Sequence, residues 1–142
     1  MSQEFDATRD AITGENNMLG DKEAIATIGV KDIEAARKFY AGKLGLKQEP
    51  SAESEVLVCK SGRALILIYK SEYAGTNKAT VVTWAVGDDV QGIVQGLRSK
   101  GISFEHYDLP DTTREGDVHV AGNIKAAWFK DPDGNILALV NH

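Results

Sequence analysis

The chain has 142 residues and a mass of 15.4 kDa, enough for one well-buried domain and too short for two unless each is a half-size module. Hydrophobic residues make up 42% and charged residues 26%, an ordinary globular balance that excludes a mostly disordered or fibrous chain. The net charge of −5 and a pI near 5.2, with no concentrated run of Lys and Arg, argue against nucleic acid as a partner.

Residues 1–22 lack the basic start and apolar core of a targeting segment, and they read as a loose tail or a short helix through Phe5, Ala7, Ile12 and Met18. Residues 23–142 form the expected domain. No apolar run approaches a membrane span, and the single cysteine, Cys59, cannot form an internal disulfide, so a reducing, cytoplasmic setting is expected. From Ala24 the chain reads as the strand "AIATIGV" and the helix "KDIEAARKFYAGKLGL". Asp32 is placed as N-cap, Ile33, Ala36, Phe39 or Tyr40, and Leu44 form an apolar stripe, and Gly42 or Gly45 ends the helix. Strand-length pieces "LKQEP", "EVLVCK" and "RALILIY" follow, which completes the order βαβββ over 24–72.

The second half, 79–141, repeats that order with "TVVTWAV", the helix "DDVQGIVQGLRSKG", "ISFEHY", "KAAWFK" and "NILALV". An offset of 56 maps Ile25 on Val81, Asp32 on Asp88 and Gly45 on Gly101; it then becomes 72, mapping Gly62 on Gly134 and Ile66 on Ala138. The extra residues fall in "DLPDTTREGDVHVAGN", read as a long inserted loop that carries Arg114, Glu115 and His119. Period-two alternation places Ala26, Ile28, Val30, Val82, Trp84 and Val86 toward the helices. It places Ile25, Thr27, Gly29, Val81, Thr83 and Ala85 on the opposite face, joined by Ala64, Ile66, Ile68 and by Ile136, Ala138, Val140. "DPDG" at 131–134 suits a tight reversal, and the strand after it is apolar at every position, as expected of one buried on both faces.

"IGVKDIEAARKFYAGKLGL" and "FKDPDGNILAL" resemble the vicinal oxygen chelate superfamily, which includes glyoxalase I, extradiol dioxygenases and the bleomycin and fosfomycin resistance proteins. The resemblance covers about 24–141 and implies an α+β fold of two pseudo-symmetric βαβββ modules curling around a central cavity, commonly in a homodimer. In the metal-using members the ligands are typically His, Gln or Glu on the cavity face. The matching positions here are Ile25, Ile66, Val81 and Ala138, none of which has a donor atom for a divalent metal. The resemblance therefore implies no metal and no cofactor.

Of the three histidines, His106, His119 and His142, none has metal-motif spacing; they read as exposed or loop residues, with His119 a candidate at a pocket mouth. Trp128, on the opposite face from Phe129, offers an aromatic plate to a ligand or simply core packing, and Tyr69, Tyr73 and Tyr107 read as rim residues. The expected function is metal-free binding of a small, largely apolar or aromatic ligand by Ile25, Thr27, Ile66, Val81, Thr83, Trp128, Ala138 and His119. Two alternatives stand beside it. One is a glyoxalase-like lyase or isomerase, or a dioxygenase-related enzyme, with moved or absent ligands and His119 or Glu115 as base. The other is a pure interaction module.

Overall fold

The computed structural model describes residues 18–142 with the exception of residue 52. The reading of 1–22 as tail or short helix lies almost wholly outside them. Module one contains β1 (Ala26–Val30), α1 (Ile33–Arg37) with a π-helical continuation Lys38–Lys43, β2 (Lys47–Glu49), β3 (Val56–Ser61) and β4 (Ala64–Lys70). Module two contains β5 (Thr80–Ala85), α2 (Val90–Ser99), β6 (Phe104–Glu105), β7 (Thr113–Glu115), β8 (Val118–Ala121), β9 (Ile124–Lys130) and β10 (Ile136–Val140). One sheet runs β1-β4-β3-β2 and the other β5-β10-β9-β8-β7, with β6 added on β9. β1 pairs in parallel with β4, and β5 with β10, so each module closes its first strand against its last.

Local chemistry explains the repeat. Asp32 caps α1, its Oδ1 accepting the backbone N–H of Glu34 at 2.9 Å and of Ala35 at 3.3 Å. Gly45 and Gly101 end the two helical segments with φ of 76° and 91°, a region costly for residues with a Cβ. The region read as an inserted loop is a β-hairpin instead. Thr113–Glu115 pairs with Val118–Ala121 across a turn in which Gly116 takes positive φ, and the expected strand "ISFEHY" contracts to Phe104–Glu105.

The helix-side faces of both sheets feed one core. Ile28, Val30, Tyr40 and Leu57 of module one join Val90, Phe129, Leu137 and Leu139 of module two. The Phe39 ring lies 6.4 Å from Phe129, and Trp84 stacks on Phe129 at 6.5 Å while its Nε1 donates to Ser61 Oγ at 2.8 Å. Cys59 is fully buried in this core, where burial raises its thiol pKa.

The turn after β9 fastens the modules together. Asp131 is buried and its carboxylate accepts four hydrogen bonds, from Tyr40 Oη at 2.7 Å, Asn135 Nδ2 at 2.7 Å, Asn135 N at 2.8 Å and Asp133 N at 2.9 Å. Asn135 Nδ2 also donates to the Gly29 carbonyl, and Asp133 Oδ2 accepts the Lys31 N–H, so the turn grips the end of β1. Gly75, at φ 74°, approaches so closely that a Cβ there would overlap the Asp133 carbonyl oxygen.

Candidate functional site

Parallel pairing fixes which residues share the face away from the helices. In module two, β10 pairs Ala138 with Thr83 and Trp128, and β8 pairs His119 with Ala126 next along β9. Thr83, Trp128, Ala138 and His119 therefore lie on one face, and alternation puts Ala85 there too, whereas Val81 lies at the register shift of β5 against β10 and packs against the core. In module one the parallel register sets Thr27 beside Leu67 and Ile28 beside Ile68. Ile66 and Ile68 are consequently core residues on the helix side, and the expectation that Ile66 faces the cavity is corrected: Leu65, Leu67 and Tyr69 occupy that face. The cause is one residue. β10 shifts register between Ile136 and Leu137, so the residue of β4 in the place of Ala138 is Leu67 and not Ile66.

The face is open in a single copy of the chain. Ile25, Leu65 and Tyr69 are 48%, 39% and 40% exposed, and Thr27, Thr83 and Ala85 are exposed as well. Ala138 is nonetheless buried. It lies beside Trp128, whose ring makes edge-on contacts with His119 at 4.9 Å and Tyr107 at 5.4 Å. Trp128, His119 and Tyr107 thus form an aromatic platform on the open face.

His119 is 3% exposed, which overturns its reading as an exposed or loop histidine. Its Nε2 accepts the Tyr107 backbone N–H at 2.9 Å, so the proton of the neutral ring lies on Nδ1, which has no hydrogen-bond partner among the described residues. Burial pushes the His119 pKa below its usual 6.5, and the nearby Arg114 charge acts in the same direction. A polar cavity of about 280 Å³ adjoins it, bounded by His106, Tyr107, Thr112, Arg114 and His119. Arg114 Nη1 donates to His106 Nδ1 at 2.9 Å, His106 Nε2 donates to Asp117 Oδ1 at 2.6 Å, and Arg98 pairs with Asp117 at 3.2 Å. Glu115 falls on the other face of β7 from Arg114, by alternation.

The donor set does not fit the metal of the vicinal oxygen chelate enzymes. With Leu67 in place of Ile66, the four positions that the resemblance equates with metal ligands are Ile25, Leu67, Val81 and Ala138, and all are hydrocarbon. Among the described residues no group of three or more His, Cys, Asp and Glu is placed to hold a metal ion. What the face offers is apolar surface, an aromatic plate and, at one end, a cluster of cationic and hydrogen-bonding groups. The signals for Leu67 and the His106–Asp117 pair were absent from the sequence, because a strand register and a hairpin pairing are long-range properties.

Residues 24–139 match the sequence profile of the Glyoxalase/Bleomycin resistance protein/Dioxygenase superfamily. No curated protein matches the chain significantly. Among solved structures, fosfomycin resistance protein FosX from Mesorhizobium loti superposes with a TM-score of 0.63 at 13% identity, covering 86% of this chain and 92% of that one. Lactoylglutathione lyase from Agrobacterium tumefaciens gives 0.63 at 16%, covering 84% and 92%. The glyoxalase/bleomycin resistance protein/dioxygenase from Alicyclobacillus acidocaldarius gives 0.63 at 18%, covering 84% and 90%. At these identities the likeness is one of fold. No described helix is long and apolar enough to cross a membrane.

Proposed function

This chain belongs to the glyoxalase/bleomycin resistance protein/dioxygenase superfamily, and from that premise we propose that it is a metal-free binding protein for a small, largely flat and apolar ligand. What supports the reading is that the positions the family resemblance equates with metal donors, Ile25, Leu67, Val81 and Ala138, are all hydrocarbon, with Ala138 paired beside Trp128. Metal chemistry needs oxygen, nitrogen or thiolate ligands, and a hydrocarbon face cannot supply them. The ligand would lie over Trp128 and Ala138, with Thr83 and Thr27 lining the face and a polar end toward Arg114 and His106. Binding is driven by removal of apolar surface from water.

The reading includes a homodimer in which a second copy covers the open face, because exposed Ile25, Leu65 and Tyr69 leave a broad apolar surface in one copy. The test has two parts. The protein is loaded in turn with zinc, manganese, iron and nickel, dialysed and assayed for metal; retention near zero is expected, and stoichiometric retention of one metal overturns the reading. Thermal-shift screening with planar aromatic ligands should then give stabilisation that Trp128→Ala abolishes.

A second reading has its own observation. The buried His119, whose Nδ1 has no partner among the described residues and which borders a polar cavity, would serve as a proton carrier for a lyase or isomerase reaction. Turnover of a hemithioacetal or similar substrate by metal-free protein, lost in His119→Gln, would favour it over plain binding.

A further inference from the structure

The polar end of the open face carries a cation that is held in place. Arg114 stands directly opposite His119 in the β7–β8 ladder, so its side chain leaves the sheet on the face that carries Trp128. Its Nη1 donates to His106 Nδ1 at 2.9 Å and to the Gly116 carbonyl at 3.1 Å, which uses both protons of that nitrogen. His106 Nδ1 is kept an acceptor from the far side of the ring, where Nε2 donates to Asp117, itself paired with Arg98. The chain Arg98–Asp117–His106–Arg114 thus orients the guanidinium.

Three N–H donors remain on Arg114, at Nε and Nη2, and they have no hydrogen-bond partner among the described residues. No described carboxylate lies within 4.0 Å of the guanidinium. Asp117 is taken by His106 and Arg98, and Glu105, opposite Trp128, by Lys130 at 3.6 Å. Asp108 also borders the cavity and forms no pair with Arg114. The planar edge of a guanidinium matches a carboxylate, which accepts two parallel N–H bonds from it.

The size of the cavity decides which part of a ligand it takes. Its volume, about 280 Å³, falls short of the roughly 300–1,000 Å³ that encloses a whole small organic molecule. It suits a head group. The body of the ligand then has the aromatic platform, because Trp128 on β9 lies two strands from Arg114 on β7, roughly 10 Å at ordinary strand spacing. A fused-ring acid bridges such a gap.

We infer that the ligand is a planar aromatic carboxylate, its rings on Trp128 and Tyr107 and its carboxylate on the Nε–Nη2 edge of Arg114. This rests on the proposed binding of a flat apolar ligand over Trp128 and adds the anionic group. Thr112, at the cavity wall, stands beside the carboxylate.

The experiment is calorimetric titration of the full-length protein with 2-naphthoate and with 2-naphthamide, an uncharged molecule of the same shape. Naphthoate should bind roughly tenfold tighter, the difference made by charge-assisted bonds to the guanidinium. Arg114→Gln should abolish that difference and leave the naphthamide affinity as it was. Thr112→Glu keeps Arg114 and its two bonds, supplies a competing carboxylate at the cavity wall, and should abolish the difference as well. Should Arg114→Gln weaken both ligands by disturbing the hairpin, Thr112→Glu decides: loss of naphthoate alone supports the inference, and an unchanged preference overturns it. A preference that survives both substitutions also overturns it and assigns the charge recognition to another cation. Equal affinities in the unaltered protein overturn the inference and leave the flat-ligand reading standing, whereas binding of neither compound overturns both.

Discussion

Removing the Tyr40 hydroxyl tests how the two modules are joined. Tyr40 is fully buried and its Oη donates to Asp131 Oδ2 at 2.7 Å, a bond between elements 91 residues apart. The Tyr40 pKa is raised well above its usual value by burial and then by the Asp131 charge, so the hydroxyl stays a donor throughout the working pH range. Tyr40→Phe keeps the ring in the core, where it contacts Phe39 edge-on at 5.0 Å, and deletes only the donor. A hydrogen bond to a charged group contributes about 1.5–3 kcal/mol. The Asp131 carboxylate would keep the bonds from Asn135 and Asp133, so a loss of about 2 kcal/mol is expected. That corresponds to roughly a thirtyfold fall in the folding equilibrium constant. The assay is urea unfolding at pH 7 and 25 °C, followed by circular dichroism. The midpoint should fall while the slope with denaturant stays constant, because the same surface is exposed. A loss below about 0.5 kcal/mol, the level of an ordinary surface substitution, would refute the view that this carboxylate holds the seam. Asn135→Ala should couple to it non-additively, since both donors share Asp131.

Gly75→Ala should destabilise the fold more than Tyr40→Phe, because the new Cβ meets backbone at Asp133 and the φ of 74° disfavours a side chain; comparison of thermal midpoints checks this. Stability should fall as pH drops below about 6.5 through the depressed pKa of His119, since the unfolded state binds that proton more readily than the folded state; His119→Gln should flatten this part of the pH–stability curve. Cys59 should stay unreactive toward a thiol reagent in the native protein and react as one equivalent after unfolding, because it is buried and burial raises its thiol pKa; equal rates in both states would contradict the packing.

Much of the architecture was legible locally. Asp32 as N-cap, the positive-φ glycines at 45, 62, 101 and 134, and the strand alternation that sends Ile28 and Trp84 to the core are decided within a few residues of chain. The spacing of those signals was enough to reveal two modules. The hairpin at 113–121 escaped because neither arm has a strong pattern of its own: β7 is exposed at all three residues and is held by pairing with β8. The burial of His119 escaped for a related reason, since the ring is enclosed by Trp128 and Tyr107 from other segments.

By itself the sequence determined the fold class and the duplicated order, because caps, turns and period-two patterns are short-range properties. Only the tertiary structure decided that Ile66 packs inward while Leu67 faces out, because a one-residue register shift in β10 reverses the equivalence without changing any local pattern. It alone closed Tyr40 onto Asp131 and Asn135 onto the Gly29 carbonyl. Those contacts join residues far apart in the chain, and their geometry exists only once the two sheets share a core.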